Sequence, residues 1–150
     1  VWGVLKPQSG KINEKISRST KNRQLMTVRK TKGKIAITNY KTLKIFQNFN
    51  LPKISFVECK LETGRTHQIR VHMNFKGNPI LGDKSYGKKR KKFRKIYKDV
   101  EKKINSFERQ ALHAKSLGFI HPRTKKEIFF EASRPEDFDI LIKNLNKASV

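Results

Sequence analysis

Arg65, His67, Gln68, Arg70 and His72 lie within eight residues of one another. They belong to the run Leu61-Glu62-Thr63-Gly64-Arg65-Thr66-His67-Gln68-Ile69-Arg70-Val71-His72. Seven of its twelve residues are arginine, histidine, glutamine or threonine, side chains that bind anions or donate hydrogen bonds. Few apolar neighbours accompany them. Such a run suits a site that grips a phosphate backbone and holds one ion pair.

The elements around the run decide how those groups are presented. Thr66 is a candidate cap for a helix from about His67 to Lys76, closed by Gly77. Helical spacing then puts His67, Arg70 and Asn74 on one face, and Ile69 with Met73 on another. Arg70 is carried by a rigid element and Arg65 by the loop before it. His67 and His72 are five residues apart and face different ways on a helix. With no cysteine or acid beside them, hydrogen-bonding roles fit better than a metal site.

The remaining pattern predicts an α+β fold with a mixed or antiparallel sheet and a few helices. Residues 6–22 are polar and rich in turn formers, which reads as a loop or excursion. Gln24 to Thr31 and Ile35 to Phe46 read as strands joined by Lys32-Gly33. A strand follows Pro52, with Ser55, Val57, Cys59 and Leu61 on one face and Ile54, Phe56, Glu58 and Lys60 on the other. Leu112 to Ile120 and Glu127 to Glu131 read as two more strands, around a turn at His121-Pro122-Arg123-Thr124. His113 and His121 therefore read as structural. Ser133 and Glu136 form a candidate capping box, and Phe138, Leu141, Ile142 and Leu145 a helical stripe.

At 150 residues the chain suits one domain. Lys+Arg number 36 against 12 Asp+Glu, a formal net charge of +24, which points to a polyanionic partner. No apolar run approaches the ~20 residues of a membrane-spanning helix. A single cysteine, Cys59, excludes a disulfide framework and a cysteine-rich zinc site. Residues 88–103 hold ten Lys/Arg and two acids, with Phe93, Ile96, Tyr97 and Val100 at roughly helical spacing. This basic insertion, about 88–105, is either a nucleic-acid contact or a solvated face. Phe93 and Tyr97 fit a docked amphipathic helix better than base stacking.

Three ordered blocks carry a resemblance. The first is the run above. The second is Gly77-Asn78-Pro79-Ile80-Leu81-Gly82-Asp83 with Tyr86-Gly87. The third is Arg109-Gln110-Ala111-Leu112-His113-Ala114 with Leu117, Phe119, His121 and Pro122. Together they resemble RluA-type pseudouridine synthases over most of the chain from about Ala36 onward. Those enzymes isomerise uridine to pseudouridine in ribosomal or transfer RNA. The resemblance implies a cytoplasmic protein that acts on rRNA or tRNA without metal, organic cofactor or membrane. A monomer is the favoured state.

One departure matters. The family's nucleophile is an aspartate in an H-R-L-D-x-x-T-S-G motif well before the first block, and that motif is not found here. Asp83, Asp99, Asp137 and Asp139 all follow Thr63. The chain starts without Met, at Val1-Trp2-Gly3-Val4-Leu5, which resembles residues just after the family's base-stacking tyrosine. The expectation is a C-terminal portion of one catalytic domain, inactive alone. The resemblance implies that Arg70 is the ion-pair partner of the nucleophile, which leaves Arg70 unpartnered in this chain. Arg65, His67, Lys88, Lys89, Arg90, Lys91 and Lys92 are the candidate RNA contacts, and Asp83 reads as a loop brace. The competing reading is a non-catalytic basic RNA-binding or ribosome-associated protein.

Overall fold

A computed structural model describes residues 1–49, 51–87 and 98–149. The elements run β1 (Ser9–Arg18), β2 (Met26–Arg29), β3 (Lys34–Phe46), β4 (Ile54–Leu61), α1 (Gln68–Phe75), α2 (Lys98–Asn105), β5 (Ser116–Ile120), β6 (Glu127–Glu131) and α3 (Glu136–Ala148). The fold class is α+β, as the pattern predicts.

The main sheet is antiparallel, in the order β2-β1-β3-β4. Its second strand is the principal correction to the sequence reading. Residues 9–18 form β1, not a loop, and β1 separates β2 from β3, so the two do not form a hairpin with each other. Only Ile12 and Ile16 of β1 are fully buried, while Lys11 and Asn13 face outward. Two apolar residues four apart are a faint periodic signal. Pairing on both edges supplies what the side chains do not, as context overrides strand propensity.

A bulge between Thr42 and Lys44 divides β3. Before it, Tyr40 pairs with Cys59 and Thr42 with Val57; after it, Lys44 pairs with Phe56 and Phe46 with Ile54. The extra residue moves the even-numbered side chains of β3 to the other face of the sheet. Each face therefore acquires its own helix. Leu5, Ile12, Tyr40, Met73 and Ile80 pack with Val57, Cys59 and Ile69, under α1. Phe46, Ile54, Leu81, Ile104 and Phe107 pack with Phe138, Leu141 and Leu145 of α3. A third group, Ile16, Ala36 and Val71, closes the space between β1, β3 and α1 beside Tyr86.

The α3 stripe lands as its spacing predicts, but the capping box does not form. Glu136 is the first residue of the helix and Pro135 occupies the cap position without a side-chain bond. The β5–β6 hairpin is a separate two-stranded sheet. In the turn that joins its strands, Nδ1 of His121 accepts the backbone N–H groups of Arg123 and Thr124. Most of the basic insertion, including Phe93 and Tyr97, lies outside the described residues; its last part is α2, whose Ile104 enters the core.

Candidate active site

The loop from Thr63 to His67 is built around one buried amide. The Gln68 side-chain oxygen accepts from Thr63 Oγ1 and from the Arg65 N–H, both at 2.9 Å. Its amide nitrogen donates to the Ile37 carbonyl and to Thr38 Oγ1, again at 2.9 Å. Thr38 also meets His72 Nδ1 at 2.9 Å. The first turn of α1 is thus bonded to the middle of β3. His72 is fully buried, and burial pushes its pKa down to about 4, so it is neutral. Its Nε2 has no hydrogen-bond partner among the described residues.

Thr66 does not cap α1. His67 takes the cap position in the left-handed region (φ 55°), without a side-chain cap bond. A non-glycine residue there costs roughly 1 kcal/mol. Tyr86 holds it in place. The Tyr86 hydroxyl accepts the Met26 N–H at 2.9 Å and meets His67 Nδ1 at 2.9 Å. The hydroxyl can donate to Nδ1 or accept from it, according to the ring tautomer. Burial, and then the Arg70 cation, lower the His67 pKa, with Asp83 opposing.

Arg70 is paired. Its Nε donates to Asp83 Oδ2 at 2.8 Å and its Nη2 to Asp83 Oδ1 at 2.9 Å. The expectation that Arg70 stands without a partner in this chain is overturned. The pair spans thirteen residues, and helical spacing cannot reveal it. The Asp83 side chain is fully buried, and Oδ1 also accepts the N–H groups of Ser85 and Tyr86. Burial alone would raise its pKa. The bonds from Arg70, Tyr86 and Ser85, with the Arg70 charge, outweigh that and hold it below the usual carboxylate range. The Arg70 guanidinium also lies over the Tyr86 ring, 4.8 Å from its centroid.

Backbone constraints fix where Asp83 sits. Gly77 (φ 79°) ends α1, with its N–H on the Asn74 carbonyl and that of Asn78 on Met73. Gly82 has φ 70°, and a Cβ there would stand 2.1 Å from the Arg109 carbonyl oxygen. Only glycine lets the 107–111 segment pass so close, and Ala111 then donates to the Leu81 carbonyl. The second and third motif blocks meet at this crossing.

Of the other candidates, Arg65 braces its loop through Nε on the Ile35 carbonyl at 3.0 Å. Lys88, Lys89, Arg90, Lys91 and Lys92 lie outside the described residues. His113 bonds the Ala132 carbonyl, and Arg109 forms a two-point pair with Asp137 on the surface. Among the described residues, no three His, Cys, Asp or Glu side chains gather as metal ligands, and no helix is long and apolar enough to cross a membrane. Tyr86 and Thr38 are the site residues that residue type alone did not single out. The adjoining Tyr86-Gly87 of the second block was the available signal for Tyr86.

Comparison with known proteins gives the family. Residues 3–75 match the family model for RNA pseudouridylate synthase. An uncharacterized RNA pseudouridine synthase YlyB of Bacillus subtilis is 46% identical over 147 residues, which is 98% of this chain and 42% of that protein. The chain belongs to the RluA-type RNA pseudouridine synthase family. Another relative is the ribosomal large subunit pseudouridine synthase D of Zymomonas mobilis, 42% identical over 91% of the chain and 40% of that protein. The chain thus spans about two fifths of the length of these curated relatives. Human RNA pseudouridylate synthase domain containing 1 shares the fold, with a TM-score of 0.67 at 23% identity, over 97% of this chain and 62% of that one.

Proposed function

We propose that the protein takes part in the isomerisation of uridine to pseudouridine in ribosomal or transfer RNA, with Arg70 as the cation of the catalytic ion pair. In that reaction the N1–C1′ glycosidic bond breaks, the uracil turns, and C5 bonds to C1′ while the C5 proton leaves to solvent. The base must first leave its stack, which costs a few kcal/mol. Phosphate contacts offset this cost without reading sequence. An ionised carboxylate then acts as nucleophile or base, and a fixed guanidinium keeps it charged in a closed pocket.

The observation that carries this reading is the state of Arg70: oriented through Nε and Nη2, 13% exposed, with Nη1 unbonded among the described residues. A second carboxylate fits that remaining side. Asp83 is committed to Arg70 and to two backbone N–H groups, and in this reading the nucleophile is an aspartate from outside these 150 residues. Arg65, His67 and the basic residues Lys88, Lys89, Arg90, Lys91 and Lys92 contact RNA in this reading, and 88–105 is a basic insertion. The ribosomal names of the relatives support rRNA and a cytoplasmic place of action. No metal or organic cofactor enters the chemistry, and a monomer suffices. A non-catalytic RNA-binding role is not favoured, because the relatives are named as synthases.

The test is tritium release from C5-labelled uridine RNA, with the complete gene product and with these 150 residues alone. The complete protein is expected to release tritium and the isolated chain none. No release from the complete protein overturns the proposal.

A further inference from the structure

We infer that Asp83 is a positioning residue for the reaction: it grips Arg70 along the Nε–Nη2 edge so that the Nη1 side faces the catalytic carboxylate. This rests on the reading of Arg70 given above.

Donor and acceptor accounting leads there. Asp83 accepts four hydrogen bonds, two from Arg70 and two from the Ser85 and Tyr86 backbone. Three of these bonds fall on Oδ1 and one on Oδ2, so a carboxylate buried in this way is tied down at both oxygens. Arg70 offers five N–H groups. Asp83 takes one from Nε and one from Nη2. The two on Nη1 and the second on Nη2 have no described acceptor. One flat face of the guanidinium is covered by Tyr86, whose hydroxyl is itself fixed between Met26 and His67. One edge is therefore fixed by Asp83 and the guanidinium is held over the Tyr86 ring, which leaves the Nη1 side without a described acceptor. A lone arginine would swing toward the nearest phosphate when RNA arrives. This one is held.

The pair also sets the charge of the site. Arg70 and Asp83 together are neutral, so a carboxylate on Nη1 meets directed hydrogen bonds rather than a net cation. His67 and Tyr86 are the other titratable groups facing the pair among the described residues, and burial with the Arg70 cation favours the neutral form of His67. β2 meets the group with the Met26 backbone N–H and apolar side chains. Asp83→Asn therefore does two things. It places an amide nitrogen against Arg70 Nε–H, which breaks the alignment, and it leaves one uncompensated positive charge, which favours ionisation of the catalytic carboxylate.

The experiment is steady-state kinetics of the complete gene product. Asp83→Asn is expected to lower kcat on the order of tenfold or more, since misplacement by an ångström has that scale, while KM for RNA changes little. The acid limb of the pH–rate profile should move to lower pH. A purely structural role would reduce the active fraction without moving that limb. In an Arg70→Met background, Asp83→Asn should reduce activity no further. Wild-type kcat in Asp83→Asn, an unmoved acid limb, or an equal loss in both backgrounds overturns the inference, whereas an inactive wild type overturns the functional reading. A second measurement covers an Asp83→Asn protein that does not fold. In nitrogen-15 spectra of the wild-type chain, the Arg70 Nε–H should exchange with solvent far more slowly than that of Arg123. Equal exchange overturns the inference.

Discussion

Tyr86 bonds both sides of a junction: its hydroxyl accepts from Met26 at the start of β2 and shares a hydrogen bond with Nδ1 of His67 at the start of α1. One phenol thus ties the edge strand to the helix that carries Arg70, and it holds the only residue of that helix start with a positive φ.

Removing that hydroxyl strands two polar groups. Tyr86→Phe is expected to destabilise the chain by about 1–3 kcal/mol, the cost of leaving a partly buried N–H without its acceptor. The His67 ring should also change its tautomer ratio when its Nδ1 partner is removed. Urea denaturation measures the first effect and imidazole nitrogen shifts the second. An unchanged tautomer ratio would exclude the hydroxyl as the group that sets it.

Arg70→Met should destabilise the isolated chain by about 3 kcal/mol, the low end of the penalty for orphaning a buried charge. From sequence alone the same change reads as neutral, or slightly stabilising if the site is partly buried, because no partner is visible. The Asp83 carboxylate reverses that expectation, since its side chain is fully buried. The two backbone bonds that remain on Oδ1 keep the cost from rising further. Denaturation midpoints of the two proteins decide between the outcomes.

What the sequence showed follows from the range of the interactions involved. The α3 stripe, β6 and the end of α1 at Gly77 are local patterns and were legible. β1 was not, because two isoleucines among lysines and asparagine look like a loop until strands flank both sides. Thr66 as a cap failed for a local reason: His67 enters the left-handed region, and Gln68 serves the loop with its side chain instead. The motif run was read as polar surface chemistry, yet Gln68 and His72 are core residues. Type and spacing identified Arg70; only the crossing at Gly82 brings Asp83 to it.

Acid should weaken the fold through His72. Its folded pKa of about 4 lies below the ordinary histidine value of 6.5, so the unfolded chain binds the proton first as pH falls. The stability this group confers is intact above the unfolded value and lost as pH falls toward the folded one. Between pH 7 and pH 5 the loss should be about 2 kcal/mol from this residue. His67, also lowered, adds in the same direction. His72→Gln should flatten the dependence in proportion, and an unaltered slope would exclude His72 as its source.

RNA binding should be strongly salt-dependent. With about six phosphates contacted on single-stranded RNA, log K should fall with log salt at a slope near −4. Replacing Lys88, Lys89, Arg90, Lys91 and Lys92 with Gln should flatten that slope. A slope unchanged by the five substitutions assigns the run to a solvated face.

Gly64 separates packing from binding. A Cβ there would meet nothing within 4 Å, and its backbone is not in the left-handed region. Gly64→Ala should therefore leave stability unchanged or raise it by up to about 1 kcal/mol, through the unfolded state. If RNA passes over the Thr63–Arg65 loop, the same methyl group should weaken RNA affinity. Stability and affinity measured on one variant would then move in opposite directions.

The β5–β6 hairpin has a consequence for how the isolated chain behaves in the tube. Leu117, Ile120, Phe129 and Phe130 are all more than half exposed, and the hairpin pairs with no other strand among the described residues. A two-stranded ribbon without a covered apolar face is marginal in water. Its amides should therefore be the first to exchange with deuterium, and a protease should nick the chain near Arg123 before the main sheet opens. Its free edges and bare phenylalanines are also a template for lateral pairing. The solubility limit of this highly cationic chain is then set by one small ribbon rather than by its charge, and salt, which screens the repulsion between molecules, should bring on precipitation.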